Sequence, residues 1–192
     1  MILKLTFLTL RAGTGGRVSG FQWTFWNGYF IDSLPLTTLT SITKTNQQGF
    51  TVSIQDLGVG TGGQYPVNNG NQYYTIDWSG CFRAPADGTY IFSINSDDAS
   101  YLWINTDVGK PVTAVSSSAL CKVPGIHGMI ENTCSINLKQ GLCYPFKIIF
   151  GQAYGGVNII LRYQLPGSST WTYDGSGVFF HSIGRYIDVA SG

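Results

Sequence analysis

An antiparallel all-β sandwich is the fold class this sequence predicts, on three observations. Short runs of alternating apolar and polar residues follow one another along the chain, the period of a strand with one buried face. Gly (25 of 192 residues), Pro, Asn and Asp punctuate almost every boundary between those runs. Charged residues make up 11% of the chain, against a usual figure of about 25%, and aromatics 14%, so strand formers replace helix formers.

In chain order the predicted strands are LKLTFL from Leu3, FQWTFW from Phe21, FTVSIQDL from Phe50, YYTIDWSGCF from Tyr73 and GTYIFSIN from Gly88. They continue with SYLWIN from Ser100, CSINL from Cys134, YPFKIIF from Tyr144, VNIILRYQL from Val157 and GVFFHS from Gly177. Within the fourth, Tyr74, Ile76, Trp78 and Gly80 share the core face, while Tyr73, Thr75, Asp77 and Ser79 share a mixed one. VNNGN at 67–71 and PADG at 85–88 read as turns. The length suits one domain. We expect an N-terminal strand or docking segment over 1–20, the sandwich over 21–182 and a C-terminal extension over 183–192.

Composition excludes several function classes. A net charge of +1 with scattered Lys and Arg offers no electrostatic footprint for nucleic acid or anionic lipid, and no apolar window is long enough for membrane insertion by a helix. The start, MILKLTFLTLRAG, is broken by Lys4, Thr6 and Thr9 and reads as a strand rather than a signal peptide. No N-x-S/T sequon occurs. Gly58-Val-Gly60-Thr-Gly-Gly63 spells a nucleotide-loop pattern, but Pro66 and NNGN follow where a helix N-terminus would be required, so it reads as a Gly-rich loop. Two histidines and no nucleophile elbow argue against a hydrolase, and adjacent carboxylates on a strand make a poor glycosidase pair. We therefore expect no enzyme. The four cysteines, Cys81, Cys121, Cys134 and Cys143, lack the knuckle spacing of a zinc site; they could make two disulfides in any of three pairings or none, and small buried side chains or one disulfide are the simpler readings.

The acidic pair Asp97-Asp98 raises the functional question. Only ten acidic residues occur, and setting two side by side incurs a like-charge repulsion that a solvated turn or a cation must offset. The passage YTIDWSGCFRAPADGTYIFSINSDDASYLWIN, followed by CSINLKQGLCYPFKIIFGQAYGGVNIILRYQLPG, resembles the protective-antigen fourteen-kilodalton β-sandwich domain. Its branch of closest resemblance is the GLEYA and flocculin adhesins. The likeness spans about residues 70–182, with an echo at FWNGYFIDSLP, and rests on an aromatic strand, AP-x-x-GTY, DD before an aromatic strand, and YPFKI before a Gly-rich loop.

That resemblance implies a function. In those calcium-dependent adhesins the aspartates are joined by a cis peptide and both bind one Ca²⁺, which takes six to eight oxygens in loose geometry. Asp97 and Asp98 would hold the ion here, with Gln152 at the position of the family's ligand asparagine and the backbone oxygens of Tyr154 and Gly156 completing the protein's share. The GLEYA loop signature itself is absent. Tyr154, Gly155 and Gly156 would meet the glycan, and His127 would line the pocket. Tyr101 and Trp103 are further candidates for stacking on a sugar face, although Trp103 at the centre of YLWIN also reads as core.

The expected function is thus a calcium-dependent glycan-binding adhesin module. With Met1 present and no signal peptide, stalk or catalytic partner domain, the setting expected is a phage virion appendage, fibre or decoration protein, made in the cytosol and assembled as a homo-oligomer or with other virion proteins. A purely structural virion protein and a secreted fungal cell-wall adhesin domain are the alternatives.

Overall fold

The computed structural model describes residues 17–40, 42–51, 57 and 72–182. The predicted strand at Leu3, the Gly58–Gly63 loop, the VNNGN turn and the extension from 183 lie outside those residues.

Eleven strands are found among the described residues: β1 (Arg17–Ser19), β2 (Phe21–Asn27), β3 (Thr43–Thr51), β4 (Tyr74–Arg83), β5 (Gly88–Asp97), β6 (Ser100–Ile104), β7 (Cys121–Val123), β8 (Ile130–Leu138), β9 (Cys143–Gln152), β10 (Asn158–Gln164) and β11 (Phe179–Ser182). Every ladder is antiparallel, and together they form the all-β sandwich that the alternation predicts. The larger sheet runs β1-β11-β4-β9-β6-β7, with β2 also pairing β4 and β3 pairing β2; the smaller runs β10-β5-β8. β2 and β11 share one edge of β4, β2 against Tyr74–Ser79 and β11 against Cys81 and Phe82. Among the described helices none is long and apolar enough to cross a membrane.

Alternation on β4 places Tyr74, Ile76, Trp78 and Phe82 in the core between the sheets, with Phe92 and Ile94 of β5 and Phe146, Ile148 and Phe150 of β9. At these side chains' usual worth of about 1.5–3 kcal/mol each, this aromatic layer is the main source of stability. The AP-x-x-GTY motif has a local cause: the Tyr90 hydroxyl donates to the Ala86 carbonyl at 2.8 Å and accepts from the Ala86 N–H at 2.9 Å, so β5 fastens the turn from which it starts.

A second apolar cluster covers the outer face of the larger sheet. Trp26, Tyr29, Phe30, Leu36, Ile42, Tyr101, Trp103 and Ile149 build it beneath the segment joining β2 to β3. The sequence signals it weakly, because its strand positions are one or two residues from each of three strands, Trp26 of β2, Tyr101 and Trp103 of β6 and Ile149 of β9. Trp103 belongs here. It is 3% exposed, as is Tyr101, its ring stacks on Tyr101 and its Nε1 donates to the Val115 carbonyl, so both rings are buried in this cluster and the core reading of Trp103 is the one its burial fits.

All four cysteines pair, Cys81 with Cys143 and Cys121 with Cys134. This goes beyond the simpler readings of buried thiols or a single bridge. The first staples β4 to β9 within the larger sheet; the second joins β7 to β8 and so ties the two sheets together at the base of the 124–129 loop.

Candidate functional site

The chain crosses from the smaller sheet to the larger at Asp98 and Ala99, between β5 and β6. Buried Ser96 and Ser100 close the base of that crossing with a 2.7 Å hydroxyl–hydroxyl hydrogen bond. The Asp97–Asp98 peptide bond is cis, as the family resemblance implies.

Asp98 is buried, and both of its carboxylate oxygens are engaged. Oδ1 accepts the His127 backbone N–H at 2.9 Å and Oδ2 accepts the Ala153 N–H at 2.8 Å. One carboxylate therefore clamps the 124–129 loop and the 153–157 loop to the strand crossing. Charge-assisted bonds of this type stabilise by about 1.5–3 kcal/mol each, so the two aspartates are not equivalent. No comparable pair of backbone donors is found for Asp97 among the described contacts. Burial, and then the neighbouring Asp98, push its carboxyl above the usual range, with His127 opposing them.

The 153–157 loop approaches Asp97 through Gly156. A Cβ there would lie 3.0 Å from Asp97 Oδ2, so only glycine lets this backbone sit against the carboxylate without displacing it. The Gly156 carbonyl accepts from Gln152 Nε2 at 2.7 Å, which fixes the amide. The Oε1 of that same, fully buried Gln152 has no hydrogen-bond partner. An amide oxygen buried without a partner is costly, and a cation bound there would remove the cost.

His127 Nδ1 lies 2.6 Å from the Gly128 carbonyl, and its Nε2 is buried without a hydrogen-bond partner. The structure thus brings Asp97, Asp98, Gln152, Gly156 and His127 together, as expected. Tyr154 and Gly155 sit beside them on the 153–157 loop, with the Tyr154 ring exposed.

Two contributors escaped the sequence reading. Asp32 accepts from the hydroxyls of Tyr101 (3.0 Å) and Tyr29 (3.2 Å) and from the Gly125 N–H (3.0 Å), so it ties the outer aromatic cluster to the His127 loop. Burial and then Asp32 push the pKa of both phenols above the usual tyrosine value, so they remain protonated donors. Tyr73 donates its N–H to the Ala153 carbonyl at 2.8 Å, from the residue whose own N–H holds Asp98. Asp32 carries little local signal, because two of its three partners lie 69 and 93 residues away.

Among the described residues no three His, Cys, Asp or Glu side chains are arranged so that they could together hold a metal ion. The carboxylate share of any metal shell is then the aspartate pair, and the rest falls to amide and backbone oxygens. An all-oxygen set of low charge fits Ca²⁺ and is unlike the nitrogen and sulfur sets of zinc.

Fold and site together define a two-sheet β-sandwich with an oxygen-rich loop cluster at one end. The chain belongs to the PA14 domain family, whose model matches residues 61–174. Similar solved structures include the Epithelial Adhesin 9 A domain from Candida glabrata in complex with Galβ1-4GlcNAc, at 14% identity and TM-score 0.66 over 89% of this chain and 93% of that one. The PA14 domain of the MpAFP antifreeze protein (14%, TM-score 0.62, 89% and 95%) and a PA14 sugar-binding domain from an RTX adhesin (12%, TM-score 0.61, 86% and 100%) are also similar. At these identities the likeness is one of fold. No curated protein sequence matches the chain.

Proposed function

We propose that this PA14 domain is a non-enzymatic, calcium-dependent glycan-binding module of the adhesin type. One observation carries the reading: the Asp97–Asp98 pair and the unpartnered Gln152 Oε1 meet where one carboxylate clamps two loops. Asp97, Asp98 and Gln152 would hold the ion through side-chain oxygens, with the Tyr154 backbone oxygen beside them. Bound Ca²⁺ supplies coordination positions that vicinal sugar hydroxyls fill. The chain's own part is to fix the loops, orient the Gln152 amide and present Tyr154, Gly155, Gly156 and His127 around the sugar. The glycans and sugar-binding activity named for the similar structures support the same reading.

The two disulfides favour an oxidising, extracellular or surface setting over a reducing cytosol. A secreted surface adhesin meets that condition directly. A virion appendage, as a homo-oligomer or with other virion proteins, meets it where its bridges form after release.

The test is retention on a glycan array. Binding should appear with calcium, vanish in chelator and return with calcium but not with magnesium, whose strict octahedral shell suits a loose loop site poorly. Glycan binding that is indifferent to chelator would refute the calcium mechanism.

A further inference from the structure

Tyr73 and Tyr154 are both large, exposed aromatics, at 55% and 53% exposure, and they stand side by side. Their ring centroids lie 6.3 Å apart with the planes at 53°, which makes a shallow trough rather than a flat stack. They come from distant parts of the chain, yet both are fastened to Ala153. Tyr154 follows it in sequence, and the Tyr73 N–H donates to its carbonyl at 2.8 Å. The Ala153 N–H in turn holds Asp98. The trough is therefore built onto the same backbone unit as the oxygen cluster.

The Tyr73 backbone is held from both sides, because its carbonyl also accepts from the Gly28 N–H at 2.8 Å. Its φ is +55°, a left-handed conformation uncommon for a bulky side chain and one that tends to accompany function. Neither ring belongs to either apolar cluster. A tyrosine fixed by its backbone and projecting into solvent is an anchor whose ordering cost is already met.

We propose that Tyr73 and Tyr154 form an aromatic subsite for a second sugar, so that the ligand is a glycan of two or more residues. The inference rests on the calcium-dependent reading above. One residue places a diol at the oxygen cluster, whose Asp97, Asp98 and Gln152 groups engage only hydroxyl edges. The adjacent pyranose lays its C–H face against the two rings, the contact that amphipathic aromatics make with sugars. Tyr73 is then a specificity residue that acts on chain length and linkage, not on the metal.

The experiment begins with a printed array carrying mono- to tetrasaccharides in calcium, followed by calorimetric titration with the strongest glycan found and with its terminal monosaccharide. The wild-type protein should prefer the longer glycan by about tenfold, the scale set by one aromatic anchor. Tyr73→Ala should abolish that preference while leaving monosaccharide binding and the calcium isotherm within about twofold of wild type, and Tyr154→Ala should abolish the preference as well. Tyr73→Phe should retain it. The thermal midpoints and calcium isotherms of the variants report folding separately, and Tyr154→Ala, which alters no left-handed position, reads the same trough. Unchanged preference in the folded alanine variants would overturn the subsite and leave the calcium reading standing. A wild-type protein that titrates no calcium, or captures no glycan, would remove both.

Discussion

Asp98→Asn should destabilise the calcium-free domain by about 2–3 kcal/mol, whereas Asp97→Asn should cost it nothing. Both Asp98 oxygens take backbone N–H groups, from His127 and Ala153, and an amide offers only one oxygen. Its NH₂ would face the second donor, leaving a buried N–H unsatisfied and one loop unclamped. For a domain of this size the loss corresponds to a fall of roughly 5–10 °C in the thermal midpoint in chelator.

Asp97 sits in the opposite balance. Burial first, then Asp98, raise its carboxyl above the usual range, so ionising it costs the folded state. For a carboxyl raised in this way, its contribution to stability is present at low pH and lost as pH rises through the folded value. An asparagine removes that loss. Matching thermal scans of the two variants in chelator check the contrast, and equal destabilisation by both would show that the clamp is not specific to Asp98.

Gly151→Ala should act through a different layer, lowering stability by about 1–3 kcal/mol. A Cβ at Gly151 would fall 2.5 Å from a Phe30 ring carbon and 2.6 Å from a Tyr29 ring carbon, both in buried rings of the outer aromatic cluster. These rings cannot both give way without disturbing Asp32, since Tyr29 and Tyr101 donate to it and Phe30 packs edge-on to Tyr101. Asp32 holds Gly125, and through the 124–129 loop the displacement reaches the His127 N–H that supports Asp98. Calcium affinity should therefore fall together with the thermal midpoint. Gly128→Ala, where an added Cβ meets no atom within 4 Å, is the matched control and should stay within about 0.5 kcal/mol of wild type.

The strands that cross the main core were legible because each keeps one face apolar over several residues: β4, β5, β9 and β10 lie where the alternation puts them. β1 and β7, three residues each, are too short to show a period, and the start of β3, TKTNQQG, is held by pairing with β2 without an apolar face of its own. The outer cluster was obscured for a related reason. A sheet covered on both faces loses its clean alternation, so Tyr101 and Trp103 could be read either as core or as aromatics near a loop.

At the site, the Asp97-Asp98 pair stood out as a local feature, whereas Gln152 was placed by the family resemblance and His127 by lying between the two loops in sequence. The clamp itself was not visible, since Asp98 is held by backbone donors 29 and 55 residues away. Tyr73 read as one more residue on a mixed strand face, and only the folded chain sets it beside Tyr154.

The most direct measurement is a calorimetric titration of chelator-stripped protein with calcium chloride, repeated on Asp97→Asn. The account predicts one saturable site in the wild-type protein and none in the variant, with the variant's thermal midpoint in chelator no lower than that of the wild type. No binding heat in the wild-type protein, or the same isotherm in Asp97→Asn, would contradict it and leave a sandwich whose aspartate pair serves only to hold its loops.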